Sequence, residues 1–297
     1  MSTKKTILIT GCSSGFGDLT ARTLARTGHE VYASMRGVEG KNAGAAKRLR
    51  QWAAKNDRSV DVVELDVTSD ASVAAAAHTV LEKSGRIDAV VNNAGVVAMG
   101  ICESHSPEDF HRIFDVNVHG VLRVTNAFLP AMREQKDGLV VTISSIMGRI
   151  VLPFAGAYTA SKWAVEGLME TYRYELAPLG IDTVVIEPGA FPTEIGNNGM
   201  PVSKPELAAE YGPVGDALNA WFAGFEDMFS GDNPPDPQEV ADAVCAAVDA
   251  PRGSRTFRVV VDRLMTAAPT AVNAAYEPAE KAILNALHLG ALAELKR

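Results

Sequence analysis

Cysteine is scarce in this 297-residue chain, which holds three, at Cys12, Cys102 and Cys245. An odd, scattered set makes no disulfide framework and points to reduced thiols in a cytoplasmic setting. No apolar run approaches the ~20 residues that a membrane span needs. Positive charge is also short: 28 Lys and Arg against 36 Asp and Glu leave a net −8 at pH 7. Phosphate backbones are gripped by excess Lys and Arg, so nucleic acid is disfavoured as a partner. Met1-Ser-Thr-Lys-Lys5 leads at once into an apolar run, which leaves no room for a signal peptide. There is no repeat at solenoid spacing, no domain linker, and no metal site is expected. What remains, 47% apolar and 22% charged residues, suits a globule with one large core.

Strand-like runs fall at about 5–10, 30–35, 60–65, 87–92, 138–143, 181–187 and 256–261, with helical stretches between them. This alternation predicts an α/β fold: one doubly wound parallel sheet of about seven strands, with helices on both faces. The clearest helices are 70–84 and 107–135. Ser106-Pro107-Glu108-Asp109 opens the second with an N-cap, a proline in the first turn and acidic residues at the dipole's positive end. Asp236-Pro237-Gln238-Glu239 opens a later helix in the same way. The segment 190–236, rich in Gly, Pro and aromatic residues, is too long for a plain connection. The chain therefore divides into 1–262, with a substrate lid at about 190–236, and a mostly helical extension of the same domain at 263–297.

Four segments carry chemistry. Tyr158-Thr-Ala-Ser-Lys162 places a phenol and an ammonium one turn apart on a helix face. A phenol titrates near pH ~10 alone, and a nearby ammonium lowers that value toward useful acid/base chemistry. Such a pair alone is most often a surface pair, so its neighbours matter. Lys5–Ile9 reads as a buried strand that runs into Thr10-Gly-Cys-Ser-Ser-Gly-Phe-Gly17, and Asp18–Thr27 reads as a helix stopped at Gly28. Strand, glycine turn and helix N-terminus make a phosphate cradle. Asp88–Asn92 is a second strand, ending in Asn93-Ala94-Gly95, where Asn side chains can tie adjacent strand ends together. Val140-Val-Thr-Ile-Ser144-Ser145 is a third, and Ser145 stands thirteen positions before Tyr158. The set can converge at the carboxyl edge of a sheet, where open α/β sheets bind ligands.

Thr10-Gly11-(three)-Gly15-Phe16-Gly17, Asn92-Asn-Ala-Gly95, Asn117, Ser145 and Tyr158-(three)-Lys162 resemble, in order and spacing, the motifs of the short-chain dehydrogenases/reductases across about 4–195. The resemblance implies a Rossmann-type fold and hydride transfer between a nicotinamide cofactor and an alcohol or carbonyl substrate. It implies Tyr158 as acid/base and Lys162 as the group that tunes it and holds the nicotinamide ribose. Ser145 would hold the substrate oxygen, and Asn117 a proton-relaying water. It further implies a cofactor site of Gly11, Ser13, Ser14, Gly15, Phe16, Gly17, Asn93, Ala94 and Gly95, with Asp66 and Val67 at the adenine. Pro188, Gly189, Phe191 and Thr193 would lie at the nicotinamide and diphosphate. The second strand ends in Met35-Arg36 with no carboxylate for a ribose 2′-OH, so Arg36 favours a 2′-phosphate and NADP(H) over NAD(H). The family also implies a homodimer or homotetramer built on the Tyr158 helix and the 107–135 helix.

Phe191, Met200, Tyr211, Trp221, Phe222, Phe225, Met228 and Phe229 lie in or beside the expected lid, and Met99 and Met147 follow two motifs. Lining a pocket, they suit a bulky apolar alcohol or ketone, as in the hydroxysteroid and retinol dehydrogenase branch that the chain resembles. Packing a helix onto the sheet is the equal alternative. A small-carbonyl reductase, a bound-cofactor epimerase and a non-catalytic nucleotide sensor are the rival functions.

Overall fold

The computed structural model describes residues 4–195, 199–225, 227–230 and 234–296, without the side chain of Phe225. The expectations for residues 1–3 and for 196–198, 226 and 231–233 of the 190–236 segment lie outside the described residues. The first half runs β1 (Thr6–Ile9), α1 (Gly15–Arg26), β2 (Glu30–Met35), α2 (Ala43–Lys55), β3 (Val60–Glu64), α3 (Asp70–Ser84) and β4 (Ala89–Asn92). Then come α4 (Pro107–Phe114), α5 (Gly120–Gln135), β5 (Gly138–Ile143), α6 (Gly156–Leu176) and β6 (Ile181–Pro188). The chain closes with α7 (Leu207–Glu210), α8 (Pro213–Phe225), α9 (Gln238–Asp249), β7 (Arg258–Val261) and α10 (Ala267–Ala286).

The seven strands form one parallel sheet in the order β3-β2-β1-β4-β5-β6-β7. Side chains alternate along a strand, so each strand serves two cores. On β1, Ile7 and Ile9 join a cluster with Leu24 of α1, Leu49 of α2 and Val240 of α9. Leu8 joins the opposite cluster, with Val80 of α3, Phe128 of α5 and Met169 of α6. Helices therefore cover both faces. The strand order reverses between β1 and β4, and the crevice outside their carboxyl ends is where open α/β sheets bind ligands.

Helix signals were legible where caps are local. Ser69 caps α3 by accepting from Ser72 N, and Gly85 ends it at φ 69°. Helix α1 starts at Gly15, three residues before the expected Asp18, with the extended Ser14 as its N-cap. The helical stretch expected at 107–135 is present, with one irregularity. A capping box of Ser106 and Asp109 opens α4, but a π-helical turn at Asp115–His119 separates it from α5. The inserted residue turns Asn117 inward, where backbone and side-chain partners hold it. Among the described residues, no helix is long and apolar enough to cross a membrane.

Candidate active site

The glycine turn is held open by the neighbouring strand end. Thr10 Oγ1 accepts from Asn93 N at 3.0 Å and from Ala94 N at 2.9 Å. Asn93 Nδ2 donates back to Thr10 O at 2.8 Å and Gly11 O at 3.2 Å. This is the tie between strand ends expected of the Asn residues. Gly11 has φ +74°, and a Cβ there would sit 2.9 Å from Ala94 Cα. A Cβ on Gly17 would sit 2.6 Å from Asn93 Nδ2. Both positions thus require glycine so that turn, helix and strand end can close up. Ser14 makes no side-chain cap, which leaves the first N–H groups of α1 facing the crevice. Thr193 stands over Gly15, and Phe191 meets Phe16 edge to face at 5.5 Å. The segment after Pro188 and Gly189 therefore closes the far side of the turn.

Farther along the sheet edge, exposed Arg36 follows β2. Burial disfavours the Asp66 carboxylate, but hydrogen bonds from Thr68 and the nearby Arg36 and Lys41 cations outweigh it and hold its pKa below the ordinary value. Val67 is buried beside Gly120 of α5. Lys41, absent from the expected set, packs over Gly37; its only signal was a second cation five positions after Arg36.

The four side chains expected to act converge. Lys162 and Tyr158 share one face of α6, with Lys162 Nζ 5.6 Å from the centre of the Tyr158 ring. Nζ donates to Ile143 O at 2.9 Å, which anchors the lysine to the end of β5. Asn117 Oδ1 accepts from Val96 N, and its Nδ2 donates to Val96 O and to Ser161 Oγ, each within 3.0 Å. A Cβ on Gly95 would lie 3.4 Å from Asn117 Oδ1 and 3.9 Å from Lys162 Nζ, so all three crowd one spot. Ser145 ends β5 extended, accepts from Met147 N at 3.1 Å, and its hydroxyl hydrogen-bonds Tyr158. Ser161, absent from the expected set, bridges Asn117 and the Tyr158 carbonyl. Its signal was its place between Tyr158 and Lys162.

The electrostatics depart from expectation on one point. Burial pushes the Tyr158 phenol up to about 12, and the Ser145 hydrogen bond only partly opposes it. Burial also pulls the Lys162 ammonium down to about 8, with Glu166 acting the other way. Desolvation, rather than ammonium-to-phenol attraction, dominates both groups.

Around Tyr158 the wall is apolar: Val96, Ala98, Phe110, Ile113, Phe114, Ala157 and Met200 pack with its ring. The 199–211 segment is stitched over this wall by Met200 N to Val97 O, Lys204 N to Ser104 O, Ser203 N to Asp109 Oδ2 and Tyr211 Oη to Glu103 Oε2. Trp221 and Phe222 of α8 meet edge to face at 5.3 Å, while Phe222 stays 47% exposed. The aromatic residues therefore do not all face the site.

The family described as short chain dehydrogenase matches residues 5–201. The oxidoreductase YusZ of Bacillus subtilis (strain 168) is 36% identical over 248 residues, 81% of this chain and 83% of the relative. Retinol dehydrogenase 7 of Mus musculus is 40% identical over 195 residues, 65% of this chain and 58% of the longer relative. An alcohol dehydrogenase from Thermococcus sibiricus, solved in complex with 5-hydroxy-NADP, matches with TM-score 0.69 and 28% identity, covering 87% of this chain and 96% of its own.

Proposed function

Because this chain belongs to the short-chain dehydrogenase family, an oxidoreductase family, we propose that it interconverts a secondary alcohol and a ketone, or a primary alcohol and an aldehyde. The proposal includes NADP(H) as preferred cofactor and a bulky apolar substrate. One observation carries it: Tyr158, Lys162, Ser145 and Asn117 meet within one crevice beside a glycine turn that has no room for a Cβ. The cradle fits a dinucleotide. Its glycines admit the pyrophosphate, and the open N-terminus of α1 favours the negative charge. Bound there, the nicotinamide supplies or takes the hydride.

The chain's own residues handle the proton. At neutral pH Tyr158 is a protonated phenol, suited to donating to a carbonyl oxygen as charge builds there. Ser145 steadies that oxygen by hydrogen bonding. Lys162, fixed by Ile143 O, lies near enough to stabilise the phenolate left behind. Asn117, pinned through Val96 and Ser161, keeps the far side of Lys162 polar, which suits a water relay. Arg36 and Lys41 together favour a 2′-phosphate, with Asp66 and Val67 at the base. The apolar wall with Met200 supports the bulky substrate, and the stitched 199–225 segment would act as its lid. Trp163, 45% exposed on α6, supports a homodimer or homotetramer through that helix.

Titration with NADPH and NADH, followed by fluorescence, tests the cofactor. NADPH should bind at least ~10-fold tighter, about 1.4 kcal/mol, and Arg36→Ala should erase the difference. Equal affinities in the parent chain would remove Arg36 from the reading. Turnover of small polar carbonyls alone, in a panel that includes large apolar ketones and alcohols, would overturn the substrate class.

A further inference from the structure

Behind the catalytic lysine lies a buried charge cluster that the proposed reaction does not use. Glu166 follows Lys162 by one turn of α6 and is 2% exposed. Glu187, on β6 just before Pro188, is fully buried. Both carboxyls address one guanidinium nitrogen: Arg258 Nε is 2.9 Å from Glu166 Oε2 and 3.6 Å from Glu187 Oε1. Arg258 also holds Glu170 Oε2 at 3.0 Å. Helix α10 closes the cluster. Asn273 Nδ2 donates to Glu187 Oε2 at 2.7 Å, its Oδ1 accepts from Arg149 Nε at 2.7 Å, and Glu280 accepts from Tyr174. The Tyr276 ring lies under Arg149 and Arg258, and Ser144 sits beside Glu166 across Gly148.

Four carboxyl groups thus face two guanidinium groups, with Lys162 at the border. Glu166 Oε1 and Glu187 Oε1 are both buried with no hydrogen-bond partner among the described residues. Two buried carboxylates on one cation, each with an orphan oxygen, are relieved when they hold one proton between them. Burial, and then Glu166 itself, push Glu187 up to about 7, with Asn273, Arg258 and Arg149 opposing. Burial raises Glu166 as well, against Arg258, Ser144 and Arg149. Glu166 in turn is the charge that supports the Lys162 ammonium against desolvation.

We propose that Glu166 is a positioning residue that supports the charge of Lys162, and that Glu187 tempers that support by sharing one proton with Glu166 at lower pH. When the proton sits on Glu187, Glu166 is an anion and Lys162 stays charged. When Glu166 takes it, Lys162 loses its support. Asn273 ties this balance to the docking of α10. The inference rests on the proposed role of Lys162, but its test does not need turnover.

The test follows the lysine ε-carbon NMR signals of the cofactor-free chain across pH, with Lys162→Arg identifying the Lys162 signal. Glu166→Gln should lower the Lys162 midpoint by about one pH unit, a tenfold change in its ionisation constant. Glu187→Gln should lower it by much less, because Glu187 has lost its proton where Lys162 titrates and acts on the lysine only through Glu166. Asn273→Ala, on the largely exposed α10, should move it least, and it keeps the test open if a core variant fails to fold. A midpoint that stays put in Glu166→Gln, or that moves no further there than in Glu187→Gln, would overturn the proposal. If the chain turns over substrate, the alkaline limb of kcat/KM should move with the NMR midpoint. Absence of turnover with every substrate would count against the oxidoreductase reading and leave the lysine titration readable.

Discussion

The glycine turn and the seat of α10 both press against the sheet, yet they are held in opposite ways. At the turn, backbone meets backbone: Gly11, Gly17, Thr10 and Asn93 close up so tightly that a single added carbon has nowhere to go. At α10, charged and polar side chains meet across a seat in which Pro269 is the helix's only buried residue among those described. Val272 and Ile283 of the same helix, and Leu287 just after it, remain exposed. The first region tolerates no change of shape. The second tolerates shape changes but depends on charge, and so on pH. A binding crevice can be made rigid by steric exclusion while a neighbouring helix stays adjustable by protonation.

The largest expected effect concerns what the rigid region positions. Tyr158→Phe should reduce turnover by about 10²–10⁴-fold, the usual worth of a general acid, while nucleotide affinity, measured by fluorescence, stays near that of the parent. Unchanged turnover would mean that another acid serves. Next is the turn itself. Gly17→Ala should cost about 1–3 kcal/mol of stability by overpacking against Asn93 and the Gly11 carbonyl and weaken nucleotide binding, as read by denaturant melts and titration. A neutral outcome would erase the contrast between a rigid turn and an adjustable helix.

Legibility followed the same divide. All seven strands, α3 and the glycine turn were readable, because period-two patterning, caps and obligatory glycines act over a few residues. The Tyr158, Lys162, Ser145 and Asn117 set was readable as a pattern, and the structure brings these residues together. The π-helical turn at Asp115–His119 was not readable, because the partners that hold Asn117 there, Val96 and Ser161, are remote in sequence. Nor was the Glu166–Glu187–Arg258 cluster, whose members look like ordinary surface charges until β6, β7 and α10 fold over them. Lys41 was hidden in the same way.

A smaller effect is expected at Asp109, which serves two masters. It caps α4 through Ser106 and also fastens the 199–211 segment through Ser203. Burial works against its charge, but hydrogen bonds from Ser203, Ser106 and Arg112 hold its carboxyl well below the usual range. Asp109→Asn should cost about 1.5–3 kcal/mol, the worth of hydrogen bonds to a charged group, and speed amide exchange at Ser203. Full protection of that amide would show that the segment does not depend on this latch.

The smallest effect is the pH dependence of stability. Glu187 and Glu280 are each pushed up to about 7 from an ordinary 4.5, in both cases chiefly by burial. Between those values the folded chain keeps protons that the unfolded chain releases. Their contribution is therefore complete below pH 4.5 and is lost as pH rises to 7. Melting temperature should fall across that window, and Glu187→Gln should flatten the fall. Lys162 has the opposite sign in a higher window: lowered to about 8 from 10.5, it makes stability rise with pH between those values. A melting temperature that climbs from pH 5 to 7 would remove the charge-dependent half of the contrast.

The π-helical turn at Asp115–His119 has a consequence for register. One residue beyond the regular repeat swings everything downstream by roughly 100° about the axis, since a helix advances 3.6 residues per turn. Before the turn, Ile113 points to the apolar wall beside Tyr158; after it, Val121, Val124 and Phe128 point to the sheet. The extra residue works as a phase shifter: within one continuous rod it rotates the face that α5 turns to the sheet relative to the face that α4 turns to Tyr158, and Asn117 sits at the seam.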